Sequence, residues 1–539
     1  MTLQSNFSYS WARLRSLLAA CLCLFFSQAM AQSMGLDHDA LLTRQLESIE
    51  PSRGETANLY VLSAALSSQQ DVFRNDVVSM RDLLDRLWHT SGRSVALVAD
   101  EPSKSQFAYP TRSHLRMAAK GLAKKMNSNK DVLLLFLTSH GAPAGMEVTV
   151  PGESRFMFSA VDVRQLLEAT GAKYRVVVLS ACHAGALVNE LADEHTLVMA
   201  AAAADRTSFG CSSKYAHTWF TEALMNALAT TPKFAAAFRI ASQKIRQYED
   251  GGEAFEHSNP QITVGASMGS KLAEIEAQAE AATDWEPPFY KTDEGKARRL
   301  LGDYLSLVQD GAGDTQIRWL ILTEVGIPVD GIFPISAWSR SVFRGSGSLQ
   351  MSFDPRAGTL TGSGAPLLNA KLAVGDGRLS GTAQFGDITF TKVARREVYD
   401  AIANHPRPKT KADAQSVIRL LYIGASDCAA CVQWEREHIE NGLLTKMPEY
   451  PAIELVKSRR YSLRSKLQKD DLPASVQSIY ETLEKDKGMS QLLSHAPSFA
   501  LLVNDTIRVW SVGPFLDAPI YPVLRAAVRE KQAAAMGSQ

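Results

Sequence analysis

Two stretches of the 539-residue chain close an apolar run on a residue that can do acid–base or nucleophilic work: "DVLLLFLTSHG" delivers His140 and "YRVVVLSACHAG" delivers Cys182. A free thiol has a pKa of about 8.5, so only a few per cent is thiolate near neutrality. A nearby imidazole raises that fraction and can later protonate a leaving group. The small residues after each, Gly141 and Ala184-Gly185, leave room for a peptide backbone to approach. A Cys–His pair of this kind points to covalent attack on a carbonyl, provided the fold brings the two together. Neighbours along an extended segment point to opposite sides, so the adjacent His183 is expected to face away from the site of attack. A second pattern is "DCAAC", where Cys428 and Cys431 follow the strand-like "VIRLLYIG" and open the helical "VQWEREHIE". That order puts Cys428 at a helix N-terminus, where the dipole lowers a thiol pKa and suits thiol–disulfide exchange with Cys431 as the resolving partner. The alternatives are a structural disulfide and half a zinc site. The zinc reading lacks a second ligand pair at suitable spacing.

The elements that must position His140 and Cys182 alternate between β-rich runs and amphipathic segments. "NLYVLSAAL", "RSVALVAD", "DVLLLFLTSHG", "YRVVVLSAC" and "TLVMAAAA" read as strands. "FRNDVVSMRDLLDRLW", "RSHLRMAAKGLAKKM" behind a Thr111 cap, and "SAVDVRQLLEATG" with its Gly stop read as helices. Strands that are apolar on both faces and alternate with helices mean an α/β fold with a mostly parallel sheet flanked by helices. Ligands of such sheets collect beyond the carboxyl ends of the strands, which is where both His140 and Cys182 fall. This domain is expected over residues 57–270. A helical linker region (271–335) should follow, then a small antiparallel β domain (336–395) of alternating residues around Gly and Asp turns, and a second α/β domain (405–533).

Bulk properties exclude several classes. With 57 basic against 57 acidic residues, no net field favours nucleic acid or an anionic membrane. The local run "KGLAKKMNSNK" reads as the solvated face of a helix, with a binding patch as the alternative. At the N-terminus, Arg13 and Arg15 precede "SLLAACLCLFFSQAMA", which closes on the small-x-small pattern Ala29-Met30-Ala31. This reads as a signal peptide over residues 1–31 and predicts export to the periplasm. The competing reading is a lipoprotein box with Cys21 as the lipidated residue. No later stretch is long and apolar enough to span a bilayer, so no membrane span is expected in the mature chain. Four cysteines then remain, Cys182, Cys211, Cys428 and Cys431, too few to staple a chain of this length. Cys211 is expected to be a small buried residue, with a redox partner for Cys182 as the alternative.

"FLTSHG", then "VVVLSACHAG" about forty residues later, then "ADRTSFGC", resemble the bacterial branch of the legumain-like cysteine peptidases. These are relatives of legumain and the glycosylphosphatidylinositol transamidase within the caspase-like clan. The resemblance implies a caspase-like fold with His140 as catalytic histidine and Cys182 as nucleophile. It also implies an oxyanion hole from the backbone N–H groups of Gly141 and Cys182. For the pocket that holds the residue before the cut, it implies Arg74, Thr207 and Ser208. Ser180 stands where legumain has an acidic residue, so asparagine preference does not carry over. Asp205 is a candidate replacement carboxylate, with an ion pair to Arg206 as the plainer reading. "HAPSFALLVNDTIRVWSVG" and the CxxC together resemble a thioredoxin-like domain. That resemblance implies a redox centre of Cys428, Cys431 and Pro497, with the Ala496-Pro497 bond cis. Asp427 stands where that family has Trp, and the long spacing to Pro497 predicts a helical insertion. The partners expected are a peptide or protein substrate and a thiol–disulfide exchange partner, with no cofactor and no metal. Two rival functions share these features, an oxidoreductase with the first domain as binding platform and a transpeptidase using the same pair.

Overall fold

The computed structural model describes residues 38–213, 215–251, 256–309, 315–341, 345–363, 370–383, 386–403, 411–486, 489–512 and 520–537. The stretch expected to be a signal peptide, residues 1–31, and Cys21 within it lie outside them. The chain divides into two compact units, residues 1–200 with 261–280, and residues 201–260 with 281–539.

In the first unit a helix α1 (His38–Glu47) precedes β1 (Leu59–Ala65), α2 (Asp71–Trp88), β2 (Ser94–Val98), α3 (Arg112–Ala123) and β3 (Val132–Thr138). There follow β4 (Gly141–Ala142), β5 (Gly145–Val148), β6 (Phe156–Phe158), α4 (Ala160–Thr170), β7 (Tyr174–Ser180), α5 (Gly185–Leu191), β8 (Thr196–Ala200) and β9 (Gln261–Val264). The six-stranded sheet runs β2-β1-β3-β7-β8-β9, parallel except where β9 returns antiparallel to β8. Every residue of β1, β3 and β8 is buried, which is what strands covered on both faces require. Local signals hold the helices in place. Thr111 accepts the His114 N–H at 3.1 Å, Ser159 and Asp162 form a reciprocal capping box, and Gly171 stops α4 at φ 64°. Among the described residues no helix is long and apolar enough to cross a membrane.

The second unit holds helices Trp219–Thr230 and Phe234–Gly251, a closed antiparallel barrel, and a four-stranded sheet. The barrel strands are β10 (Gly302–Gln309), β11 (Thr315–Val325), β12 (Phe333–Ser341), β13 (Gly345–Asp354), β14 (Thr359–Ser363), β15 (Lys371–Gly375), β16 (Arg378–Ala383) and β17 (Gly386–Val393). It closes where β17 pairs with β10, around Tyr304, Leu320, Ile335, Met351 and Phe390. The barrel thus starts within residues 271–335, where a helical linker region was expected. The reason is visible in β11. Leu320 and Leu322 fill the barrel, while Ile317, Trp319 and Ile321 pack outward into the core under the C-terminal segment. A strand buried on both faces loses the period-two pattern that marks an exposed sheet.

The last sheet has the order β19-β18-β20-β21, from β18 (Ile418–Ala425), β19 (Glu454–Arg460), β20 (Ser498–Val503) and β21 (Thr506–Val512). β19 is parallel to β18, and the other pairs are antiparallel. The helix Ala429–Glu435 follows β18, short helical turns recur over residues 469–485 and 489–493, and Ala496-Pro497 is cis, all as the sequence predicts.

Candidate active site

β3 and β7 pair in parallel, with Thr138 opposite Ser180, and the register continues past both strands, because the Ser139 N–H donates to the Ser180 carbonyl at 3.1 Å. His140 and Cys182 therefore stand at equivalent positions, each two residues beyond that pair. Contact between the two segments is close. A Cβ built on Gly141 would lie 2.1 Å from the Cys182 carbonyl oxygen and 3.0 Å from Ala181 Cβ. Only a residue without a side chain lets these two loops approach so nearly.

Two side chains at the start of α2 hold the His140 ring. Its Nε2 lies 2.6 Å from Oε1 of Gln70, the residue that caps α2, and Phe73 packs edge-on at 5.1 Å between centroids. With an amide oxygen as the acceptor, Nε2 carries the hydrogen and Nδ1 is left with a lone pair in the neutral ring. The His140 carbonyl accepts the Glu147 N–H at 2.9 Å. Burial pushes the imidazole below its ordinary range, the Glu147 carboxylate opposes this, and Arg155 adds to it. Arg155 in turn is ion-paired to Glu147 at 2.7 Å.

Cys182 is half-buried and, like Cys211, outside any disulfide. The chain does not stay extended through it. Residues 182–184 turn, His183 takes a left-handed φ of 57°, and the Ala186 N–H returns to the His183 carbonyl at 2.9 Å. The expectation that His183 points opposite to Cys182 rested on an extended backbone and does not apply. A non-glycine residue held at positive φ marks a turn that its surroundings over-determine.

The residues expected to line a substrate pocket fall in both units, and each is described within its own. Arg74 lies on α2, one residue beyond Phe73, and is already engaged. Its NH1 reaches Asp100 at 3.0 Å, and Nε and NH2 reach the Asn75 side chain at 3.3 and 3.2 Å. Ser180 is buried as the last residue of β7. Thr207 and Ser208 belong to the second unit, as does Asp205, which pairs with Arg206 at 3.6 Å. Cys211 is half-exposed rather than buried, its sulfur 4.0 Å from the Ser208 carbonyl. The stretch 205–213 around it is irregular, with no strand or helix of its own.

Two groups carry no sequence signal. Gln70 sits in a polar run before a helix, and nothing in its type or spacing ties it to a histidine seventy residues on. Asp76 is fully buried and accepts the Thr138 hydroxyl at 2.8 Å, beneath the end of β3. Its place in "FRNDVV" reads as an ordinary helical surface position.

In the second unit Cys428 and Cys431 form a disulfide. Cys428 caps the helix Ala429–Glu435, its sulfur accepting the Cys431 N–H at 3.0 Å. Both sulfur-bearing residues are buried, 3% and 0% exposed, and Ala496 packs against the same apolar cluster, next to buried Pro497. Asp427 accepts the Leu463 N–H at 2.6 Å, which ties the turn before Cys428 to the inserted segment.

Residues 113–269 match the Peptidase C13 family. The C13 match takes in β3, β7, His140, Gly141, Cys182 and the 205–208 segment, and it supports a cysteine-type peptidase. It leaves out β1, α2 and β2, hence Gln70 and Arg74, and also the barrel and the disulfide. The chain is similar to the structure of caspase-1 from Spodoptera frugiperda, with 13% identity and a TM-score of 0.27, over 40% of this chain and 90% of that one. No curated protein matches it.

Proposed function

We propose that the protein is an exported, periplasmic cysteine endopeptidase that cuts peptide bonds with Cys182 as nucleophile and His140 as general base and acid. The observation that carries this reading is the in-register placement of the two residues on adjacent parallel strands, inside the segment that matches a peptidase family. His140 takes the thiol proton as the Cys182 sulfur bonds to the carbonyl carbon, and the proton passes to the amine as the C–N bond breaks. A thioester remains. His140 then takes a proton from water, the hydroxide displaces the sulfur, and the carboxylate product leaves with the thiol restored. The Gly141 and Cys182 N–H groups serve as the oxyanion donors, and the tight contact at Gly141 keeps them together. Arg74, proposed with Ser180 for the pocket that holds the residue before the cut, presents a guanidinium already neutralised by Asp100, so it offers hydrogen bonds more than net charge.

Profiling a peptide library with the full chain tests this. Cleavage by the wild type and none by Cys182→Ala is expected, and equal product from both would overturn it. The profile also reads out the residue preferred before the cut.

Gln70 is proposed as a positioning residue that fixes the ring of His140. Losing a hydrogen bond worth about 1.4 kcal/mol in the transition state costs about 10-fold in kcat for Gln70→Ala. A structural role alone would not move a pH profile. Gln70→Glu places a carboxylate on Nε2–H and favours the imidazolium, so the acid limb of kcat/KM should move to higher pH. Gln70→Ala removes an acceptor and should move it lower.

For the C-terminal region we propose a thioredoxin-like domain, supported by the order strand, CxxC, helix and by the four-stranded sheet β19-β18-β20-β21. The burial of both cysteines favours a disulfide that holds the domain together over one that exchanges readily with an outside partner. Replacing both Cys428 and Cys431 by Ser should lower stability by about 2 kcal/mol, the loop-closure value for so short a loop. Peptide cleavage should be unchanged. Denaturant unfolding alongside a peptidase assay checks both.

A further inference from the structure

Arg116 and Lys120 on α3, and Lys124, which caps its C-terminus in a right-handed helical conformation, stand four residues apart on one exposed row. The side chains of these three have no ion-pair or hydrogen-bond partner among the described residues. Like charges four apart weaken a helix, so the row is a local cost, and no ion pair relieves it among the described residues. The row borders a groove of about 820 Å³ between α1 and α3, with Leu46, Met117 and Gly121 in its lining. Gly121 matters to its shape. A Cβ there would lie 2.4 Å from Leu46 Cδ2, so glycine lets α1 settle against α3 as it does. The one acidic residue of the lining, Glu47, makes no ion pair with the cations.

We infer that this groove is an exosite for an extended acidic stretch of the protein substrate, a reading that rests on the peptidase assignment. Two spacings match. Residues four apart on a helix rise about 6 Å along its axis. Alternate side chains of an extended chain are about 6.6–6.8 Å apart. An extended peptide lying along α3 with acidic residues at every second position therefore meets all three cations almost in step. The floor is aliphatic, and the lining has no aromatic ring on which a nucleic-acid base could stack, which favours a peptide over a single nucleic-acid strand. Its concavity favours a chain over a flat lipid surface.

The groove also leads toward the site. A second hollow of about 520 Å³ shares Arg112 and Ser113 with it and reaches Arg155 and Phe156. Arg112 and Arg155 are already paired, to Asp162 and Glu147, and the Glu147 N–H is bonded to the His140 carbonyl. α3 joins β2 to β3 in a parallel sheet, so its first turn lies at the carboxyl ends of the strands, where His140 and Cys182 are. The free cations begin one turn further along.

The test uses the full chain and the triple variant R116Q/K120Q/K124Q. Two fluorogenic peptides share a cleavable core, one flanked on each side by Glu-Ser-Glu-Ser-Glu and the other by serines alone. Three screened surface pairs amount to about 10-fold in KM for the wild type. That advantage should vanish in about 0.5 M salt and in the variant, while cleavage of the serine-flanked peptide is unchanged. Equal preference for the acidic peptide in wild type and variant overturns the exosite. A binding arm needs no turnover: anisotropy of the labelled acidic peptide with Cys182→Ala protein should show saturable binding that the triple substitution removes. If neither peptide is cut but this binding is seen, the peptidase reading fails and the groove stands. No binding, or displacement of the peptide by a thymidine oligonucleotide or by anionic vesicles at lower concentration, overturns the assignment to an acidic peptide.

Discussion

Cys182→Ala is expected to abolish peptide cleavage, by at least about 10⁴-fold, and His140→Ala to cost about 10²- to 10⁴-fold. Both variants should fold. Cys182 is half-buried and loses one sulfur atom, a change of the size that ordinary surface substitutions make. The difference between the two losses follows from the chemistry. Without the sulfur no thioester forms and only hydrolysis by water remains, whereas without the imidazole the small thiolate fraction can still attack. The pH dependence distinguishes His140 from a bystander. Burial is the largest influence on its ring and disfavours the imidazolium, so the ring is neutral at pH 7 and ready to accept the thiol proton. Acidification removes that acceptor. The acid limb of kcat/KM should therefore fall below the usual histidine value of about 6.5, and it should be missing from the residual activity of His140→Ala. An acyloxymethylketone peptide probe gives a second readout. It should label Cys182 in the wild type, not at all in Cys182→Ala and at least about 10²-fold more slowly in His140→Ala, and labelling at the wild-type rate in His140→Ala would count against the pair acting together.

The strand ends that present these two residues can be read directly from the sequence. "VLLLFLT" and "YRVVVLS" are too apolar to be anything but buried strands, and the parallel order places both ends at one edge. Thr111 and Gly171 likewise announce their helix ends by residue type, because capping is decided within a few residues. What escapes such reading depends on contacts distant in sequence. Gln70 is joined to His140 only because β1 lies beside β3, which puts the residue entering α2 next to the end of β3. β11 hides for a related reason, since its second face is covered by residues from 398 onward and so looks like neither a half-exposed strand nor a helix. His183 shows the limit of periodicity itself. Alternation holds while the backbone is extended, and here it ends at Ser180. Of the basic run over residues 120–130, read as a helix face, only 120–123 lie on α3 and the rest turns away from it, and sequence alone does not show that α1 makes α3 the wall of a groove.

Gly141→Ala should be damaging, and its effect should fall on activity more than on folding. Gly141 is not at positive φ, so alanine can adopt its backbone conformation without strain. The whole cost is steric. The new methyl would start 2.1 Å from the Cys182 carbonyl oxygen, more than an ångström inside ordinary contact, and 3.0 Å from Ala181 Cβ. Both neighbours are main chain or short side chain and cannot rotate aside, so one of the two loops must move by about 1 Å, at about 1–3 kcal/mol in stability. A displacement of that size between reacting groups costs about 10²-fold in rate. Here it would separate His140 from Cys182 and disturb both proposed oxyanion donors at once. Gly171→Ala supplies the control. Gly171 sits at φ 64° with nothing within 4 Å of the place an added methyl would take, so alanine there costs about 1 kcal/mol through backbone strain alone, far from the pair. If lost activity merely tracked lost stability, the two variants would fall on one line. A Gly141→Ala protein that melts only modestly earlier than Gly171→Ala yet turns over about a hundredfold more slowly would show that the approach of the two loops is held for chemistry. Equal turnover would show that the contact is packing and that the oxyanion donors lie elsewhere.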